Sequence, residues 1–142
     1  MAQSMQKFRE IVFQLLYSRS FEQEDGELTL LMRQNAIPKK LAKEAEEKAK
    51  AVLAKCEELD QKISDKAIDY DLQRISWIEK SVLRLSLFEL LYTDLPDKVA
   101  IAEGVRIARK YATAEGSGFV NALLDAVYKD GDEAVSTESI TC

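Results

Sequence analysis

The side chains able to do covalent chemistry in this 142-residue chain are few in kind. Histidine is absent, which removes the commonest general base and the commonest metal ligand. The two cysteines, Cys56 and Cys142, are too few for a thiolate zinc site or a disulfide framework. Cys56 reads as a small core residue, and Cys142 sits on a polar tail. No Gly-rich phosphate loop and no nucleophile elbow occurs. The carboxylates Glu79, Glu89 and Glu103 are accounted for by helix surfaces or core hydrogen bonds. The inventory argues against an enzyme, and no catalytic residue, metal or cofactor is expected.

What remains is the chemistry of recognition. Arg9, Phe13 and Tyr17 follow one another at i, i+4 spacing, beside an apolar face made by Phe8, Ile11, Val12, Leu15 and Leu16. A core needs one face, so this second stripe has two readings. It is a wide core edge over which Arg9 snorkels, or it is a binding surface. Charge placement bears on the choice. The net charge is −5, but Asp130, Asp132, Glu133 and Glu138 alone supply −4 of it. Lys98, Arg106, Arg109 and Lys110 stand against Glu103 alone within residues 98–111, a local +3. An acidic tail on a body with local basic patches fits nucleic-acid contact better than the total suggests.

The elements that must position these groups are helices. Residues 75–92 predict a central one. Val82, Leu83, Leu85, Leu87, Phe88, Leu90, Leu91 and Tyr92 surround its axis rather than forming a stripe, so it should be buried on most sides. Glu89 falls within that run. An unpaired buried carboxylate costs several kcal/mol, roughly, so it needs a donor or must reach the rim. An opening amphipathic helix is expected over 4–20, with Ser4 as its N-cap. An acidic turn around Gly26 and a short helix through Leu28, Leu31 and Met32 should follow, with Pro38 starting the next helix. That helix should run from Lys39 to Leu59 or beyond, on a narrow seam of Ala45, Ala49, Val52, Cys56, Leu59 and Ile63. Its other faces carry balanced charge and read as solvated.

Ser64 or Asp65 could cap a shorter segment reaching Tyr70. Pro96 ends the central helix, since it disfavours helix at Leu95. A further helix starts near Val99, with Ile101, Val105, Ala108 and Ala112 on one face, Gly104 permitting close approach, and Arg106 and Lys110 on the other face with Arg109 flanking. The last helix is expected from Gly118 to Lys129, capped by Ser117, with Phe119, Val120, Leu123, Leu124 and Val127 as its stripe. Residues 1–129 then form one all-α domain, and 130–142 an acidic tail that should lose order. The opening apolar stretch is interleaved with Lys7, Arg9 and Glu10, unlike a secretion signal, and no stretch approaches the length of a membrane span. A soluble, cytoplasmic protein is expected.

Trp77-Ile-Glu-Lys-Ser-Val-Leu-Arg-Leu-Ser-Leu-Phe-Glu-Leu90, then Leu95-Pro-Asp-Lys-Val-Ala-Ile-Ala-Glu103, then Gly118-Phe-Val-Asn-Ala-Leu-Leu-Asp125, strongly resembles the NusB family of bacterial transcription antitermination factors. Arg9-Glu10 and Gln14-Leu-Leu-Tyr17 resemble the family's opening helix, whereas residues 21–70 match only in helical character. The resemblance implies an all-α bundle of about six to seven helices in two packed subdomains. It implies binding rather than catalysis. The expected partners are single-stranded boxA RNA of ribosomal-RNA leader transcripts and the ribosomal protein NusE, and through them the elongating RNA polymerase complex. Family members differ in whether they self-associate, so a homodimer stays open.

Position by position, the resemblance places Lys7, Arg9, Phe119 and Asn121 near RNA, and Tyr17, Glu79 and Glu115 near NusE. Phe119 also lies on the core stripe, and Glu79 and Glu115 could be solvated charges. The chain departs from the family at Gln3, Gln6 and Phe8, where cations are expected. Fewer phosphate contacts mean lower affinity and a flatter salt dependence. RNA affinity is therefore expected mainly in the complex with NusE. The alternative is a helical interaction scaffold or homodimer with little RNA recognition of its own.

Overall fold

The computed structural model describes residues 3–19, 38–67 and 75–141, with side chains described over 5–18, 38–67 and 75–129. The acidic turn around Gly26, the short helix through Leu31, the segment reaching Tyr70, and Cys142 lie outside the described residues. Among those described there are six helices and no strand: α1 (Gln3–Arg19), α2 (Lys39–Ala54), α3 (Cys56–Lys66), α4 (Trp77–Tyr92), α5 (Asp97–Tyr111) and α6 (Ala114–Thr141). None of these is long and apolar enough to cross a membrane. The chain divides into two compact units, Met1–Glu57 and Glu58–Cys142.

In the first unit α1 packs against α2. Ile11, Val12, Phe13, Leu15 and Leu16 of α1 are buried, each contributing roughly 2 kcal/mol by removal from water. The buried stripe of α2 is Ala42, Ala45, Ala49 and Val52, at the expected three- and four-residue spacing. Such small side chains let a neighbouring helix approach closely. Pro38 stands at the N-cap with φ −64°, and its carbonyl accepts from the Ala42 N–H at 3.1 Å. The single helix expected from Lys39 through Leu59 is instead two. Lys55 leaves helical geometry (φ −106°, ψ 10°), and its N–H closes back on the Val52 carbonyl at 3.0 Å. The apolar seam continues through Cys56, Leu59 and Ile63 in unbroken rhythm, with no glycine or proline to mark the bend.

The second unit is built on α4, which packs against α5 and α6, while α5 also packs on α6. Ser76 caps α4 in a capping box. Its hydroxyl accepts from the Glu79 N–H at 3.1 Å, and its own N–H donates to the Glu79 carboxylate at 3.2 Å. Val82, Leu83, Leu85 and Leu87 are buried, as are Ser81, Ser86 and Glu89. Glu89 is 3% exposed and does not lack a partner, as the sequence required. The last turn differs from expectation: Leu91 and Tyr92 are exposed. An all-round apolar sequence permits burial on every side without requiring it.

Helix α3 buries Leu59 and Ile63 and is tied to α4 by polar bonds. The Arg84 guanidinium donates bidentately to Asp60, at 2.8 and 2.7 Å. The Tyr92 hydroxyl donates to Glu58, a bond that, with some desolvation and the carboxylate's charge, raises the phenol above its ordinary value. Ser64 and Asp65 lie inside α3 rather than capping a new segment, and Gln61 donates to Asp65 at 2.8 Å.

On α5 the buried face is rotated from the one expected. Ala100, Glu103, Gly104, Ile107 and Ala108 are buried, whereas Ile101 and Val105 are half-buried. Gly104 sets that register. A methyl group there would come within 2.2 Å of the Ser86 hydroxyl and 3.0 Å of Leu124, so α4 and α5 meet where only glycine fits. Glu103, nearly buried, accepts from Arg106 at 2.7 Å one helical turn on. Asp97 in the first turn and Arg109 and Lys110 in the last suit the helix dipole.

Helix α6 begins earlier than expected. Thr113, not Ser117, caps it, accepting from the Gly116 N–H at 2.9 Å. Its buried stripe is the expected Phe119, Val120, Leu123, Leu124 and Val127. Its backbone is helical to Thr141, past the end expected at Lys129, and no proline stands in the way.

Candidate nucleic-acid and partner interface

The first unit carries Lys7, Arg9 and Tyr17 on α1. Lys7 is exposed, but Arg9 is only 3% exposed and does not lack a partner. The Phe13 and Tyr17 rings stack, with centroids 6.3 Å apart and planes 17° from parallel. Phe13 is buried and Tyr17 half-buried. The Arg9–Phe13–Tyr17 stripe is therefore a core edge at its first two members, and Tyr17 is the one that reaches the surface. Lys48 of α2 lies 5.7 Å from the centre of the Phe8 ring, so a cation from the neighbouring helix stands beside a position where α1 lacks one.

The second unit carries the other positions. Phe119 is 8% exposed, so most of it is packing. Asn121, two residues on, is exposed. Asn121 belongs to a groove of about 390 Å³ between α5 and α6. The α5 wall is Lys98, Ile101, Val105 and Arg109, which fall on one helical stripe. The α6 wall is Asn121, Asp125 and Tyr128, also one stripe. The groove thus combines two cations, one carboxylate, one amide and one phenol ring over an apolar floor. The sequence marks Asn121 and the basic patch that holds Lys98 and Arg109, but not Asp125 and Tyr128 or the groove that joins them. The spacing of Lys98 to Arg109 and of Asn121 to Tyr128 carried the signal, obscured by assigning Ile101 and Val105 to the core.

Glu79 and Glu115 lie in the first turns of α4 and α6. Glu115 is exposed in the first turn of α6. A methyl group on its neighbour Gly116 would lie 3.2 Å from the Glu79 carboxyl carbon. The first turn of α6 thus approaches Glu79 of α4, and each glutamate lies in the first turn of its own helix, where the dipole favours a carboxylate. Glu79 is half-buried and already serves the capping box, a role that the Ser76-x-x-Glu79 spacing announces. In the same turn as Glu79, Trp77 is exposed, with Lys80 4.5 Å and Arg84 5.9 Å from its ring centre. No group of three or more potential metal ligands occurs among the described residues.

Comparison with known proteins adds to this geometry. The NusB family model matches residues 6–129. The transcription antitermination protein NusB of Chlamydia pneumoniae is 35% identical over 128 residues, covering 88% of this chain and 80% of that protein. The protein of the same name from Pseudothermotoga lettingae is 35% identical over 125 residues, covering 87% and 89%. Among solved structures, T. maritima NusB superposes with a TM-score of 0.74 at 30% identity, covering 91% of this chain and 93% of that one. A crystal structure of antitermination factors NusB and NusE in complex with dsRNA superposes with a TM-score of 0.75 at 26% identity, covering 92% and 99%. With the match spanning α1 through most of α6, the chain belongs to the NusB family.

Proposed function

We propose that this chain is a transcription antitermination factor that binds boxA RNA together with the ribosomal protein NusE and so modulates termination by RNA polymerase. The observation that carries the reading is the agreement over nearly the whole chain with a fold seen in a NusB–NusE–RNA assembly. The role is one of binding, not catalysis, and its setting is the cytoplasm. Lys7 contacts phosphate from α1, and Asn121 hydrogen-bonds RNA from α6. Arg9 and Phe119, both buried, support those contacts from beneath rather than by open exposure. Tyr17, Glu79 and Glu115 face the basic partner, where the two carboxylates supply charge complementarity. In this reading NusE supplies the cations that α1 lacks, and RNA affinity develops mainly in the complex.

A transcription assay tests this. On a template with a boxA leader ahead of a terminator, the chain plus NusE should raise read-through several-fold, and a scrambled leader should abolish the effect. Equal read-through on both templates would refute the RNA-directed reading. A second reading, an interaction scaffold or homodimer with little RNA recognition, draws on the burial of Arg9, which leaves Lys7 as the exposed cation among the α1 side chains described. It predicts NusE capture or self-association with no response to RNA.

A further inference from the structure

The groove between α5 and α6 has a composition that packing does not explain. Its walls bring Lys98, Arg109, Asn121, Asp125 and Tyr128 to one surface cleft, over Ile101 and Val105. At about 390 Å³ it is at the small end of ligand sites, too small to seat a partner helix and large enough for one planar group. Lys98 and Arg109 are both exposed and lie eleven residues apart on one helix, about 16 Å of helix axis. One phosphate cannot bridge them. Successive phosphates of a strand running along the groove can. Asn121 and Asp125 are four residues apart on the facing helix and so present an amide and a carboxylate side by side. Asp125 pairs with Lys129 at 3.0 Å, but both side chains are half or more exposed, so this bond holds it weakly.

We infer that this groove seats one guanine base of a single-stranded RNA, with Lys98 and Arg109 on the flanking phosphates. This rests on the RNA-binding reading above. The chemistry that selects guanine is its pair of adjacent donors, N1–H and the N2 amino group, which a carboxylate can accept together. Adenine, cytosine and uracil do not offer that pair. The Asn121 amide donates to the neighbouring O6. Tyr128 supplies a ring at the edge of the groove for stacking, as single-stranded RNA sites commonly do. The strand charge is met by the two cations, and the single carboxylate is satisfied by the base rather than opposed by the backbone.

The test is fluorescence anisotropy with the full chain plus NusE. The probes are labelled decamers of uridine carrying one central G, A or C, titrated at several salt concentrations. The wild-type complex should bind the G decamer five- to tenfold more tightly than the A or C decamer. Asp125→Asn should erase that preference while leaving the common affinity within twofold. Arg109→Ala should weaken all three decamers alike and flatten the log–log salt slope by about 0.7. Circular dichroism melts of both variants confirm that each is folded. If the wild type binds RNA and both variants behave like it, the groove is not an RNA seat, and only this inference falls. Equal affinity for G, A and C decamers also overturns it. If no decamer binds at all, the RNA-binding reading falls first and takes the groove with it.

Discussion

The α1 surface and the α5–α6 groove present the same residue types in opposite ways. On α1, Arg9 and Phe13 are buried, and the stripe that looks suited to gripping RNA is largely consumed by packing. In the groove, Lys98, Arg109 and Asn121 are exposed, although their spacing draws less attention. A cation beside an aromatic ring therefore reveals little by itself. What decides its use is whether the helix face it lies on is already spoken for. On α1 the apolar face is wide enough to engulf its neighbours. On α5, Gly104 and Ser86 turn the helix so that a less apolar face is buried and a mixed one is left to solvent.

The sharpest way to break this comparison is at Arg9. Arg9→Ala removes a buried, partnered charge and should cost about 3 kcal/mol in urea unfolding. Lys7→Ala should cost less than about 0.5 kcal/mol and act instead on RNA affinity. Equal stability losses would mean that Arg9 is not buried as described. Next in size is Gly104→Ala. Contact with Ser86 and Leu124 opposes the gain in helix propensity, leaving a net loss of about 1–2 kcal/mol. A stabilised variant would show that the α5 register is not held by that glycine.

The Ser76→Ala change should cost about 1 kcal/mol through loss of the capping box. Because Glu79 is then released from Ser76, NusE binding in this variant sharpens the question of which role Glu79 favours. The smallest effect is in pH dependence. The Tyr92 phenol is raised above its ordinary value by Glu58, so the folded state holds that proton more tightly than the unfolded chain. Its contribution is fully present below the ordinary tyrosine range near pH 10 and is lost as pH rises through the folded value. Tyr92→Phe should flatten the stability profile above about pH 10 and lower stability by a small, pH-independent amount below it. An unaltered alkaline slope would remove the Glu58 bond from the account.

The sequence makes some of these elements plain and hides others for identifiable reasons. Helix α4 and the buried Glu89 are legible because a dense apolar run with one carboxylate admits few other readings. The stripe of α6 from Phe119 to Val127 is legible for the same reason. The break at Lys55 is not, since it changes backbone angles without interrupting the apolar rhythm. The start of α6 is misplaced because Thr113 and Ser117 both precede small residues, and only the Thr113 bond to Gly116 distinguishes them. The face of α5 is misread because Ile101 and Val105 are more hydrophobic than Ala100 and Glu103, which actually face inward. Close approach at Gly104, not hydrophobicity, decides that helix's rotation. The groove that follows from it is hidden for as long as Ile101 and Val105 are counted as core.

The most direct measurement is a salt-dependent titration of boxA and scrambled RNA with three samples: the chain, NusE, and the two together. The account predicts weak, sequence-indifferent binding by the chain alone and a boxA preference that sharpens in the mixture, with a steep salt slope. Tight, boxA-specific binding by the isolated chain, undiminished when Lys7 and Arg9 are both changed to alanine, would contradict the partner-dependent reading. An absence of preference in every sample would contradict RNA recognition itself.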